Sequence, residues 1–218
     1  MRNANRSPVA AMVAAAALSL VPWTASRAAE FIVRPGGDNK VVFASKAAIE
    51  SFEGKTNRME GRLALDPSNL GDSVTVHLEV DLASLDTGIA KRNEHMRENH
   101  LETAKYPKAV FDGAAVRGPA GAKLEPGRTA TFDVEGTFTL HGVSRRIRIK
   151  ADVTYTAGAS VKATAGAGGS SAGAATLAFK TEFPVGLADY NISRPQFLFL
   201  KLADTQQVRV SGVAVEAP

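Results

Sequence analysis

The sequence predicts an all-β protein, an antiparallel barrel or strongly curved sandwich of about eight strands with one short helix. Apolar and polar residues alternate with period two from Val41 onward. That is the mark of half-buried strands, whose successive side chains point to opposite faces. The alternating runs recur at regular spacing between turn residues, as in barrels and sandwiches. One stretch breaks the rhythm. Residues 84–111 hold a turn signal, a short polar helical run and a Tyr106-Pro107 stop, a far longer connection than compact β domains usually use.

The first residues stand apart from the barrel. Arg2 and Arg6 precede an apolar run over 9–21, and Ser26-Arg27-Ala28 offers small residues at a cleavage site. This pattern predicts a secretory signal peptide over 1–28, cleaved on export to the periplasm or beyond. A membrane anchor is the poorer reading, because about a dozen apolar residues fall short of the roughly 20 needed to cross a bilayer. No other segment is long and apolar enough to span. The single predicted domain covers 31–216.

Along that domain, Met59, Gly61, Leu63 and Leu65 share one face of a strand ended by Asp66-Pro67-Ser68-Asn69. Val74, Val76, Leu78, Val80 and Leu82 alternate with polar residues in the cleanest strand of the chain. Val110 and Phe111 open the next, closed by Gly118-Pro119. Phe132, Val134, Gly136, Phe138 and Leu140 follow, and His141-Gly142 turns them directly into Ile147, Ile149, Ala151, Val153 and Tyr155. That pair reads as a hairpin. Residues 157–175 are nearly all Gly, Ala and Ser, too poor in apolar surface to offset chain ordering, so a flexible loop is expected. Leu177, Phe179, Thr181 and Phe183 resume the alternation, Phe197 to Leu202 is apolar on both faces, and Val208, Val210 and Gly212 begin the last strand.

Charge and composition remove several functions. The formal charge is +4, but Arg2, Arg6 and Arg27 leave with the signal, so the remainder is near +1 and gives no reason to expect nucleic-acid binding. There is no Cys, which rules out disulfides, thiolate metal sites and a thiol nucleophile. His95 and His100 are five apart and diverge on a helix, His77 lies on an outer strand face and His141 in a turn. None makes a metal-ligand spacing. No nucleophile elbow, paired carboxylates or phosphate-cradling loop appears. Arg146, Arg148 and Lys150 read as a solvated strand face. No enzyme, cofactor or metal is expected.

Alternation alone leaves the interior open. An eight-stranded barrel is just wide enough to be filled by side chains or to hold one elongated ligand. Small residues at the inward positions Gly61, Gly136, Ala151 and Gly212 are expected to leave space, and Met96 and Leu101 to cap one end of it.

Leu85-Asp86-Thr87-Gly88, then Arg92, His95 and Met96, then the run Leu101 to Pro107 and Phe111, resemble the central signature of the YceI-like family. Gly136-x-Phe138-x-Leu140-x-Gly142-Val143 resembles its second hairpin. The resemblance spans roughly Phe31 to Val215. It implies an extended lipocalin-like barrel in an exported bacterial protein that binds an isoprenoid lipid, a polyprenyl chain or isoprenoid quinone, in an apolar channel. Ligand contacts are then expected from Phe43, Phe52, Met59, Leu63, Val76, Leu78, Val80, Met96, Leu101, Phe111, Phe132, Val134, Phe138, Phe179, Phe183 and Phe197, with Arg92, His95 and Tyr106 near the helix. Arg92 and His95 share a helical face. They either hold a ligand head group or pin the connection to neighbouring backbone. The chain departs from the family with Asn93 for Asp, Met96 for Leu, Leu198 for Gly and Lys46-Ala47-Ala48 in place of a His. A filled barrel acting as a stress-response or interaction module is the alternative, and a homodimer stays open in either case.

Overall fold

The computed structural model describes residues 28–46, 51–70, 74–117, 122–158, 173–194, 196–197, 200–201 and 203–218. The expected signal peptide, the Gly118-Pro119 turn, Leu198 and most of the Gly/Ala/Ser stretch lie outside them. The strands are β1 (Ala29–Val33), β2 (Lys40–Lys46), β3 (Ser51–Thr56), β4 (Met59–Leu65), β5 (Thr75–Asp81), β6 (Lys108–Arg117), β7 (Thr129–Leu140), β8 (Val143–Thr156) and β9 (Thr176–Gly186), a two-residue pair β10 (Gln196–Phe197) and β11 (Leu200–Lys201), and β12 (Thr205–Glu216). Between β5 and β6 lie a 3-10 turn, Leu82–Ser84, and the helix α1, Ala90–His95, which runs on as a π-helical turn, Met96–His100.

Eight strands close an antiparallel barrel in the order β1-β4-β5-β6-β7-β8-β9-β12, with β12 returning to β1 at Phe31↔Glu216 and Ile32↔Val215. Closure removes the exposed edges that an open sheet would present. The β2–β3 hairpin extends this wall. The first half of β12 leaves β1 and pairs with β2, Val208 opposite Phe43. The break between β1 and β2 falls at Gly36 and Gly37, whose φ values of 93° and 57° suit only glycine without strain. Asn39 spans the break: its Nδ2 donates to Arg34 O at 2.6 Å and its Oδ1 accepts from Val213 N at 3.2 Å. The outer edge of β3 is covered where Lys55 and Asp86 exchange backbone hydrogen bonds of 2.9 and 3.0 Å.

The predicted hairpin is the pair β7–β8, joined by His141 (φ 51°) and Gly142 (φ 74°), the two positive φ values that match strand twist in a tight turn. The interior divides in two. At one end Phe31, Met59 and Leu177, each 0% exposed, pack with Val33, Leu63, Leu65 and Phe132. Each such side chain contributes about 1.5–3 kcal/mol on burial. At the other end Leu82, Leu85, Phe111, Phe138, Leu140, Ile149, Val185 and Ile192 surround a void. The barrel is filled at one end and hollow at the other.

The inward glycines do not create the hollow. A Cβ on Gly136 would stand 2.6 Å from the Phe111 ring and 2.6 Å from Asp112 O, and one on Gly212 2.8 Å from the Phe179 ring. One on Gly61 would run into His77 O, and one on Gly54 into the Phe43 ring. The expectation that small residues leave space is therefore corrected. These glycines are already occupied by the rings and backbone of neighbouring strands.

Candidate functional site

The hollow half of the barrel is a cavity of about 650 Å³. Met59 and Val41, which also belong to the packed end, form its floor. Leu78 and Val80 of β5, Phe111 of β6, Phe138 and Leu140 of β7, Ile149 of β8, Phe183 and Val185 of β9, and Val208 and Val210 of β12 make the wall. Phe43 and Phe52 bring the β2–β3 hairpin into it. The helical connection covers the remaining side with Leu82, Leu85, Met96 and Leu101. Among the described residues the lining carries no Asp or Glu, while Lys91, Arg92, His95 and His100 contribute basic groups, which favours a neutral or anionic occupant.

The helical cover is held by a compact set of polar contacts. Asp81 accepts from Ala83 N at 3.0 Å and caps the 3-10 turn, which turns Leu82 and Leu85 inward. Asn93 is buried. Its Oδ1 accepts from Thr87 N and Thr87 Oγ1 at 2.8 and 2.7 Å, and its Nδ2 donates to Asp86 Oδ1 at 2.6 Å. The hydrogen bond from Gly88 N, followed by that from Asn93, holds the Asp86 carboxyl below the usual range. Asn93 suits this place because its amide offers both a donor and an acceptor, whereas an ionised Asp would set two carboxylates against each other.

Arg92 donates through Nε to Thr87 Oγ1 at 2.9 Å and through Nη2 to Thr87 O at 2.8 Å, and its guanidinium lies 4.1 Å from the centre of the Phe52 ring. It thus pins the connection to backbone and to the β2–β3 hairpin while lining the cavity. His95 also lines the cavity and is exposed at its mouth. Farther on, His100 Nδ1 donates to Ser193 O at 3.2 Å, and burial pushes the imidazole pKa down. Lys91, Arg92, His95 and His100 together put basic groups on the helical side of the space.

Of the residues expected from the sequence, Phe43, Phe52, Met59, Leu78, Val80, Arg92, His95, Met96, Leu101, Phe111, Phe138 and Phe183 meet around this cavity. Leu63, Phe132 and Phe179 belong to the packed end instead, and Val76 packs against both clusters without lining the cavity. Val134 packs 3.3 Å from where a Cβ on Gly113 would be. Tyr106 lies away from the lining. Its ring is 4.5 Å from that of His141 and covers Gly142, while His141 Nδ1 donates to Tyr190 O at 3.1 Å. Tyr106 therefore docks the end of the connection onto the β7–β8 turn. Phe197 has no described side chain. Sequence reading missed Leu140, Ile149, Val185 and Val210, which alternation places on the same faces, Leu82 and Leu187, which open 3-10 turns at strand ends, and Leu85 and Ile192, which follow those turns. It also missed Ser45 and Gln206, single polar residues near strand ends, and Thr181, which the alternation puts on the face of Phe179 and Phe183.

Comparison with known proteins gives the same frame. A model of the YceI-like domain matches residues 33–214. A UPF0312 protein of Vibrio cholerae is 30% identical over 142 residues, 64% of this chain and 70% of that protein. One from Vibrio vulnificus is 29% identical over 179 residues, 81% and 84% of the two chains. Among solved structures, a polyisoprenoid binding domain from Saccharophagus degradans implicated in plant cell wall breakdown superposes with a TM-score of 0.63 at 18% identity, covering 88% of this chain and 100% of that one. BcnA of Burkholderia cenocepacia gives 0.60 at 22% identity, covering 81% and 96%. These likenesses support the barrel, and the domain match extends from the end of β1 into β12. The chain belongs to the YceI-like family.

Proposed function

We propose that this protein is exported and sequesters or carries an isoprenoid-type lipid, a polyprenyl chain or isoprenoid quinone, by binding and not by catalysis. The observation that carries the reading is the cavity of about 650 Å³ with apolar walls under the helical connection. Each methylene buried there contributes about 0.8 kcal/mol, so a long hydrocarbon chain is held without any charged anchor. The Saccharophagus degradans domain, a polyisoprenoid binding domain of the same fold, supports the ligand class. The Arg-flanked apolar run over 9–21 supports export.

The test is purification from the native host followed by solvent extraction and lipid mass spectrometry. A prenyl-chain lipid in near-stoichiometric yield is expected, together with an intact mass for the mature protein that lacks residues 1–28. A lipid-free protein that also takes up no added prenyl lipid would overturn the binding reading. An unprocessed amino terminus in the exported fraction would overturn the signal.

A further inference from the structure

Among the described residues, two polar atoms lie in the cavity wall without a hydrogen-bond partner: Ser45 Oγ and Gln206 Oε1. Both residues are more than nine-tenths buried, Ser45 at 2% and Gln206 at 7% exposure. Buried polar side chains in native proteins nearly always find partners, and the exceptions call for an explanation. Ser45 is on the face of β2 that carries Val41 and Phe43, and Gln206 on the face of β12 that carries Val208 and Val210. The β12–β2 register runs to Gln207 opposite Ala44, and continued one step along the same strands it sets Ser45 opposite Gln206. Both line the cavity toward the end of β2 remote from the floor at Val41.

Their chemistry is asymmetric. Gln206 Nε2 donates to Ala203 O at 2.8 Å, which fixes the amide and leaves Oε1 for the cavity as an acceptor only. The Ser45 hydroxyl both donates and accepts. A ligand carbonyl takes the Ser45 proton but offers Gln206 nothing, and an anionic oxygen set against Oε1 is repelled. A hydroxyl completes both atoms, accepting from Ser45 and donating to Gln206.

We propose that Ser45 and Gln206 form a hydroxyl-reading subsite, so that the lipid bears a neutral alcohol or hydroquinone-type OH at the end of its apolar chain. This rests on the lipid-binding reading and narrows it to one head-group class. A site built to hydrogen-bond a substrate OH discriminates strongly against the analogue that lacks it, because the buried partners are then left unpaired.

The experiment measures binding of three probes of one chain length to the full protein by calorimetric titration: farnesol, farnesyl methyl ether and the hydrocarbon farnesene. The methyl ether keeps the oxygen but loses the proton that Gln206 accepts. Wild type is expected to bind farnesol about tenfold or more tightly than the ether. In Gln206→Met the preference for alcohol over ether is expected to collapse to within about twofold, and in Ser45→Ala alcohol and ether are both expected to lose affinity relative to farnesene, while farnesene affinity holds in both variants. Equal binding of alcohol and ether by wild type overturns the subsite, whether or not the variants fold, and is also the result if a trapped water already serves both atoms. Equal loss of all three probes in variants with unchanged melting midpoints overturns it too. Failure of wild type to bind any of the three overturns the lipid reading itself, a result distinct from loss of the alcohol preference.

Discussion

Chain length is the sharpest probe of the cavity. An apolar cavity of about 150 Å³ holds one benzene. By that measure the 650 Å³ here takes roughly 25 carbons, or about five prenyl units. Net gains for ligands of this size run near 0.3 kcal/mol per heavy atom, so each added five-carbon unit contributes about 1.5 kcal/mol, roughly tenfold in Kd. All-trans prenols of two to eight units, titrated by displacement of a fluorescent lipid, are expected to tighten about tenfold per unit up to about five units and then level off. Val208→Trp, which projects an indole into the same space, is expected to move the break to shorter chains. Affinity independent of length, or climbing by a constant factor through eight units, would refute the assignment of the chain to this cavity.

Three further outcomes follow from particular contacts. Asn93→Ala removes the acceptor of two Thr87 hydrogen bonds and is expected to cost about 1–3 kcal/mol in urea unfolding; a change under about 0.5 kcal/mol would show that Asn93 does not hold the connection. Gly136→Ala forces a Cβ against the Phe111 ring and Asp112 O; it is expected to cost about 1–3 kcal/mol and to weaken long prenols more than short ones as the ring yields into the cavity, and equal weakening at all lengths would contradict this. On the outer face, the hydrogen bond from His77 Nδ1 to Asp112 Oδ1 raises the His77 pKa over the opposing effect of desolvation, helped by attraction to Asp112 and by Glu79. A raised folded pKa contributes stability that is fully present below the unfolded value of about 6.5 and is lost as pH rises through the folded value. His77→Gln should therefore narrow its stability gap to wild type between pH 6 and pH 9, by a small amount because the pair is half exposed; a gap that widens with pH would reverse the sign.

Much of this architecture is legible in the alternation. It gives the β7–β8 hairpin down to His141-Gly142, the inward faces of β4, β5, β7 and β9, and the long connection before Phe111. What alternation cannot give is depth along the barrel axis. Val76 and Leu78 share a face of β5, yet Val76 pairs with Leu63 in the packed end and Leu78 lines the void. Phe132 and Phe138 divide in the same way on β7. Nor does one strand reveal what crosses it. Gly136 looks like open space until the β6–β7 register sets Phe111 beside it. Ser45 and Gln206 carry no signal at all, because a single polar residue near a strand end reads as solvent-facing until its neighbours are known.

The packed end at Phe31, Met59 and Leu177 makes the barrel a cup with one mouth. A lipid held as proposed would enter tail first and leave head first, so that its hydroxyl end would be the last part captured and the first presented to an acceptor. Residence time would then depend on how long Arg92, Asn93, His100 and Tyr106 keep the helical rim closed, and affinity on the walls beneath. Substitutions at the rim are free to change the exchange rate without changing what is bound.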